Sequence, residues 1–209
     1  MPEPAQLAVF VIASAILAVT PGPDIIYVIT RGAAQGPRAG LAAAAGLSTG
    51  IIGHTLLCVA GISAVLAASA PAFTAVKLLG AVYLVYLGVR MWRAREHPDL
   101  AGDGERRSIA AIYRQSIIMN LLNPKVALFF LAFLPQFVSA DAGPVAVQLG
   151  VLGAVFMIVS FAVMSAAGFA GGEIRKRLAT SNRAARGVQC TAGGILVALG
   201  IRLAFERPG

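Results

Sequence analysis

The chain has 209 residues, of which 58% are hydrophobic and only 12% charged. With a mean hydropathy of +0.80, this excludes an ordinary soluble domain, in which about a quarter of residues are charged. The formal net charge of +8 does not mark a nucleic-acid binder, because the basic residues lie between apolar runs, where they act as topology signals.

Six apolar runs, at about 6–30, 40–68, 72–91, 113–136, 145–170 and 187–205, approach the ~20 residues that a membrane crossing needs. The expected fold class is therefore all-α, a polytopic membrane protein with six transmembrane helices. The first run is interrupted by Thr20-Pro21-Gly22-Pro23-Asp24. Each proline lacks an N–H and clashes with the preceding turn, at ~3 kcal/mol or more in a helix interior. An acid inside a span costs a further ~2.5–3.5 kcal/mol on insertion scales. A segment that only crossed the bilayer would avoid these residues, so a helix break that exposes backbone groups and one carboxylate to a polar cavity is expected here.

The second run carries Gly46, Gly50 and Gly53 at spacings that let helices approach closely, either within one chain or in a homodimer. His54 follows, as a site residue or as a donor to a backbone carbonyl. In the third run Lys77 stands near the start, where a lysine can snorkel to the interface, with Tyr83 and Tyr86 beyond it. The fourth is interrupted at Asn123-Pro124-Lys125, shortly after Asn120. The fifth holds Ser160 and Ser165, and the sixth opens near Gly193-Gly194. Cys58 and Cys190 have no partner at metal-ligand spacing and read as small buried hydrophobes. No cofactor or metal is expected.

The connections alternate in charge. Arg31 and Arg38 lie in the first, and Arg90, Arg93, Arg95, Arg106, Arg107 and Arg114 in or beside the third. The fifth holds Arg175, Lys176, Arg177, Arg183 and Arg186. The second and fourth connections carry no basic residue. The positive-inside rule places connections one, three and five in the cytoplasm and both termini outside; Arg202 and Arg207 oppose this. The N-terminus lacks a basic n-region, so the first run is expected to be retained rather than cleaved as a signal. The third connection, about 92–111, reads as a cytoplasmic linker between half-repeats of about 1–91 and 112–209, together one transport domain.

Aligning Pro23 with Pro124 brings out an internal repeat. In each half an apolar stretch meets a proline, a charge follows at once, and the apolar stretch resumes. The charges are opposite, Asp24 and Lys125. Three spans per half is odd, so the halves are inverted in the membrane. Paired interrupted spans in inverted halves point to a secondary-transporter site. A break leaves free N–H groups at one helix end, which favour anions, and free carbonyls at the other, which favour cations. A zwitterionic α-amino acid suits both. On this reading its carboxylate meets amides and Lys125, its ammonium meets carbonyls and Asp24, and Thr20, Asn120 and Asn123 complete the lining. The two charges fall at different depths along their spans, which leaves direct contact between them open.

These residues resemble the LysE-type lysine/threonine exporter family of bacterial amino-acid exporters. The resemblance rests on Thr20-Pro21-Gly22-Pro23-Asp24 and on the Gly-rich second span with His54. It also rests on Lys77-x-x-Gly80-Ala81-x-Tyr83-Leu84-x-Tyr86-Leu87-Gly88 and on Asn120-x-x-Asn123-Pro124-Lys125. It covers essentially the whole chain. It implies a six-span inner-membrane permease that exports amino acids on the proton motive force. Asp24, a buried carboxyl deep in its span, is then the expected proton carrier. It also makes Lys77 a candidate site residue. No acid other than Asp24 lies deep in a span, which disfavours a dibasic substrate. Two alternatives fit the sequence less well. A metal-cation exporter of the wider superfamily would have only Asp24, His54 and Cys58 as ligands, and a membrane-embedded enzyme would need a partner for His54 that the sequence does not show.

Overall fold

In the computed structural model, the described residues are 4–68, 106–138 and 143–174, with isolated helical positions between 78 and 93 and between 187 and 201. Lys77 and most of the third span, the linker and the sixth span lie outside the described residues. Every regular element among the described residues is helical. These are α1 (Pro4–Val19), α2 (Pro23–Gln35), α3 (Pro37–Ala68), α4 (Ile109–Leu121), α5 (Pro124–Ala132) and α6 (Val145–Phe169), with one 3-10 turn, Leu134–Phe137, after α5.

Both expected breaks are present. Helix α1 ends because Pro21 has no N–H to extend the ladder. Thr20 still donates its backbone N–H to the Ile16 carbonyl at 2.9 Å. Gly22 is extended, and Pro23 opens α2 at its first position, where a missing N–H costs nothing. The two axes meet at 61°. The second break repeats the device: Asn123 caps α5, Pro124 opens it, and the bend from α4 is 50°. Two continuous helices, Pro37–Gly61 and Val145–Phe169, are long and apolar enough to cross a membrane. Counting each bent pair as one span gives up to four crossings among the described residues.

Helix α3 is the central element, packed on α2, α4 and α6. Its glycine stripe serves contacts within the chain. A Cβ at Gly50 would lie 2.7 Å from the Asn120 Cβ, and one at Gly46 would lie 2.3 Å from the Tyr113 carbonyl oxygen. The bare backbone therefore brings α3 against α4 at the level of the second break. Side chains such as Leu56, Leu57, Ile118 and Ile158 point outward, as a lipid-facing surface requires.

The interior is layered. One apolar cluster joins Phe10 and Leu17 of α1 to Phe129, Phe130, Phe133 and Phe156. Its rings interlock, with Phe129 and Phe133 centroids 4.7 Å apart and Phe129 and Phe156 5.2 Å apart. The other joins Ile25, Val28 and Ile29 of α2 to Leu47 of α3, Ile112 of α4 and Met164 of α6. Buried polar residues Thr20, Asp24, His54, Asn120, Asn123, Lys125 and Ser160 lie where the two breaks come together.

Candidate functional site

Each break supplies the other's partners. Asp24 occupies the first turn of α2, where the free amides and the helix dipole favour a negative charge. Its Oδ2 accepts a hydrogen bond from Asn123 Nδ2 at 2.6 Å. The other end of the same amide, Asn123 Oδ1, accepts from the Lys125 backbone N–H at 2.9 Å and so caps α5. One side chain thus ties the carboxylate of the first break to the helix start of the second.

Lys125 completes the exchange in the opposite direction. Its Nζ donates to the carbonyl oxygens of Leu17 at 3.3 Å and Thr20 at 3.2 Å, at the C-terminal end of α1, where a cation is favoured. A Cβ on Gly22 would sit 3.2 Å from that ammonium, so the glycine leaves it room. The sequence reading gave the α1 carbonyls to a ligand's ammonium; here the protein's own lysine holds them. The reason is that the start of α5 lies against the end of α1, within reach of the lysine stem.

His54 does for α4 what Lys125 does for α1. Its Nε2 lies 2.9 Å from the Asn120 carbonyl oxygen. A carbonyl has no proton to give, so Nε2–H donates, which is the backbone contact the sequence had left as one of two roles. Thr20 turns its hydroxyl back to the Ile16 carbonyl at 2.7 Å, and it is its own carbonyl that serves the site. Pro21, Gly22, Pro23 and Pro124 shape the breaks. The Cys58 thiol donates to the Phe130 carbonyl at 3.4 Å. Among the described residues no three His, Cys, Asp or Glu side chains gather as metal ligands.

A cavity opens between the breaks. Asp24, Asn120, Lys125 and Ser160 form its polar wall, and Leu47, Phe156 and Met164 are among its apolar lining. It is narrow in this state, with room for about one water. Two of its acceptors, Asp24 Oδ1 and Asn120 Oδ1, are buried without a hydrogen-bond partner in the protein. Such an atom costs about 1–3 kcal/mol and is set to receive a donor. Leu47, Phe156, Ser160 and Met164 were not expected in the site. Of these only Ser160, a polar residue in an apolar run, carried a signal in the sequence.

A second polar cluster lies beyond the α2 side of the site. Tyr27 Oη donates to Gln115 Oε1 at 3.0 Å, and the Arg107 guanidinium donates to the same oxygen. Gln35 Oε1 accepts from the Arg107 backbone N–H at 3.1 Å, and Gln35 Nε2 donates to the Arg107 carbonyl at 2.9 Å. This joins the end of α2 to the start of α4.

Asn123→Ala removes the cap of α5 and one partner of a buried carboxylate. A lost cap costs about 1 kcal/mol and a lost hydrogen bond to a charged group about 1.5–3 kcal/mol. Thermal unfolding of the purified chain in detergent should move down accordingly; an unchanged midpoint would show that the amide does not hold the breaks together.

A family model described as LysE type translocator matches residues 15–207. A homoserine/homoserine lactone efflux protein of Salmonella typhimurium is 33% identical over 156 residues, covering 75% of each chain. A leucine efflux protein of Enterobacter sp. strain 638 is 29% identical over 196 residues, covering 93% of each. An uncharacterized membrane protein of Vibrio cholerae is 35% identical over 144 residues, covering 68% of this chain and 70% of that one. No solved structure matches. With the matched model reaching across nearly all of its length, the chain belongs to the LysE type translocator family.

Proposed function

We propose that this protein is a secondary transporter that exports α-amino acids or close derivatives across the bacterial inner membrane, driven by protons. The observation that carries the reading is the cavity between two broken helices. It combines one cation, Lys125, with two unpartnered buried acceptors, Asp24 Oδ1 and Asn120 Oδ1. A substrate ammonium satisfies the acceptors, and a substrate carboxylate suits Lys125 and the amides at the starts of α2 and α5. Leu47, Phe156 and Met164 suit an uncharged side chain. The related efflux proteins named for leucine and for homoserine support this substrate class.

The two layers flanking the site act as gates in this scheme. With six spans in inverted halves and both termini outside, the phenylalanine cluster faces the exterior and the Tyr27–Gln115–Arg107–Gln35 cluster faces the cytoplasm. Alternating access opens one while the other holds. Asp24 carries the coupled proton, and moving one charge inward through the membrane potential supplies ~2.3 kcal/mol per 100 mV.

The test is efflux. The chain is expressed in a bacterium deleted for its own exporters and fed dipeptides, and all common amino acids are measured outside the cells. At least one should leave faster than from the empty-vector strain, and collapsing the proton gradient should abolish the difference. Equal rates for every amino acid would overturn the reading; export that survives the collapse would remove the proton coupling alone.

A further inference from the structure

We infer that the Lys125 ammonium is a tethered stand-in for the substrate's ammonium: it fills the carbonyl end of α1 while the site is empty and is displaced when an amine enters. The inference rests on the export reading for its physiological meaning, but its physical content is an ammonium site. Three observations carry it. First, the ammonium of Lys125 does not stay on its own helix; it crosses to α1 and donates to the Leu17 and Thr20 carbonyls. Primary alkylammonium groups share its charge and its three N–H donors, so whatever suits Lys125 there suits a ligand amine. Second, the same cavity wall holds Asp24 Oδ1 and Asn120 Oδ1, both buried and without a partner. Lys125 uses the Leu17 and Thr20 oxygens, while the unpartnered oxygens belong to Asp24 and Asn120, which line the same cavity as Lys125. Third, the cavity has room for a water and not for an amino acid, so a ligand enters only if a side chain withdraws. Lys125 has a flexible four-carbon stem, and Gly22 lies beside its ammonium.

The consequence is a competition within one protein. An empty carrier stays neutralised because Lys125 satisfies the α1 carbonyls, and it can reorient without substrate. A bound substrate takes the carbonyls and frees Lys125 to pair with the substrate's carboxylate. Return of Lys125 to α1 then helps to expel the amine.

The test uses the full chain in lipid nanodiscs and three probes titrated calorimetrically: n-propylammonium, tetramethylammonium and propionate. Propylammonium has N–H donors for the carbonyls; tetramethylammonium has the charge and none. In Lys125→Met the α1 carbonyls are vacated, and propylammonium should bind about tenfold tighter than to the wild type, the worth of a charge-assisted hydrogen bond regained. Tetramethylammonium should not gain, and propionate should bind more weakly. Lys125→Gln, which keeps a donor but no charge, is the second variant and should change in the same direction by less. Unchanged or weaker propylammonium binding in both variants overturns the stand-in. Equal gains for propylammonium and tetramethylammonium also overturn it, because relief of like-charge repulsion would then suffice. If propylammonium behaves as expected while no amino acid is exported in cells, the ammonium site stands and the transport reading falls. If amino acids are exported and propylammonium binding ignores Lys125, the transport reading stands and the stand-in falls.

Discussion

Asp24→Asn is expected to abolish export while leaving the chain folded and inserted. Asparagine has nearly the shape of aspartate, and its Oδ1 can still accept from Asn123 Nδ2, now seen bonded to Asp24 at 2.6 Å. The tie between the two breaks therefore survives, weakened from a charge-assisted bond to a neutral one. What is lost is the only negative charge among the described residues lining the cavity and, with it, the proposed proton carrier. Removing the charge from a buried, hydrogen-bonded carboxylate that meets a ligand cation costs about 2–5 kcal/mol, which is a few hundredfold in ligand affinity at the middle of that range. Efflux should drop to the empty-vector rate at equal protein in the membrane, measured by immunoblot and by elution of the purified chain as a single species. Asp24→Glu separates charge from placement: it keeps the carboxylate but pushes it toward a cavity with room for about one water, so transport should be reduced rather than lost. Full activity in Asp24→Asn would take the residue out of the mechanism.

The two breaks were legible in the sequence because their cause is local. A proline cannot continue a helix that reaches it but can start one, so Pro21 ends α1 while Pro23 and Pro124 open α2 and α5. The cap on α5 was missed: Asn123 read as part of a ligand's polar lining, and the structure shows its side chain accepting from the Lys125 N–H. Where Lys125 itself goes was not legible. Counted along straight helices at 1.5 Å per residue, Asp24 and Lys125 fall at different depths. The bends of 61° and 50° shorten the advance along each span, and the long lysine stem covers the remainder, so both groups line one cavity. Gln35 and Gln115 carried no signal at all. Gln35 ends α2 and Gln115 sits midway along α4; a lone glutamine reads as solvated surface, and only the packing of α2 beside α4 makes either a link. The glycines were legible as close-contact residues but not for their partners, since which helix meets Gly50 depends on the whole bundle.

Those partners set the largest stability effect expected of a single substitution. Helices α2, α3 and α6 meet backbone to backbone at one point. A Cβ on Gly32 would fall 2.0 Å from the Gly168 carbonyl oxygen, and one on Gly40 2.7 Å from the Gly168 Cα. Both neighbours are main-chain atoms that cannot rotate away, so a side chain here separates helices instead of repacking around them. Overpacking in a close-packed interior costs about 1–3 kcal/mol and more where relaxation is blocked; Gly32→Leu should exceed that range and consume much of a stability of about 5–15 kcal/mol. It should fail to accumulate as a monodisperse species in detergent. Gly61→Ala is the matched control, because a Cβ there meets nothing within 4 Å, and it should unfold at or above the wild-type temperature. Gly32→Ala is the informative middle case. Gly32 lies two turns or so, about 12 Å, beyond Asp24 on the same rigid helix. A single methyl that tilts α2 away from α6 therefore also moves the Asp24 carboxylate relative to Asn123 and the cavity. The Ala variant should fold with a lowered midpoint and export more slowly than its protein level explains. Wild-type unfolding and wild-type efflux in Gly32→Ala would show that α2 and α6 are not in contact at this point.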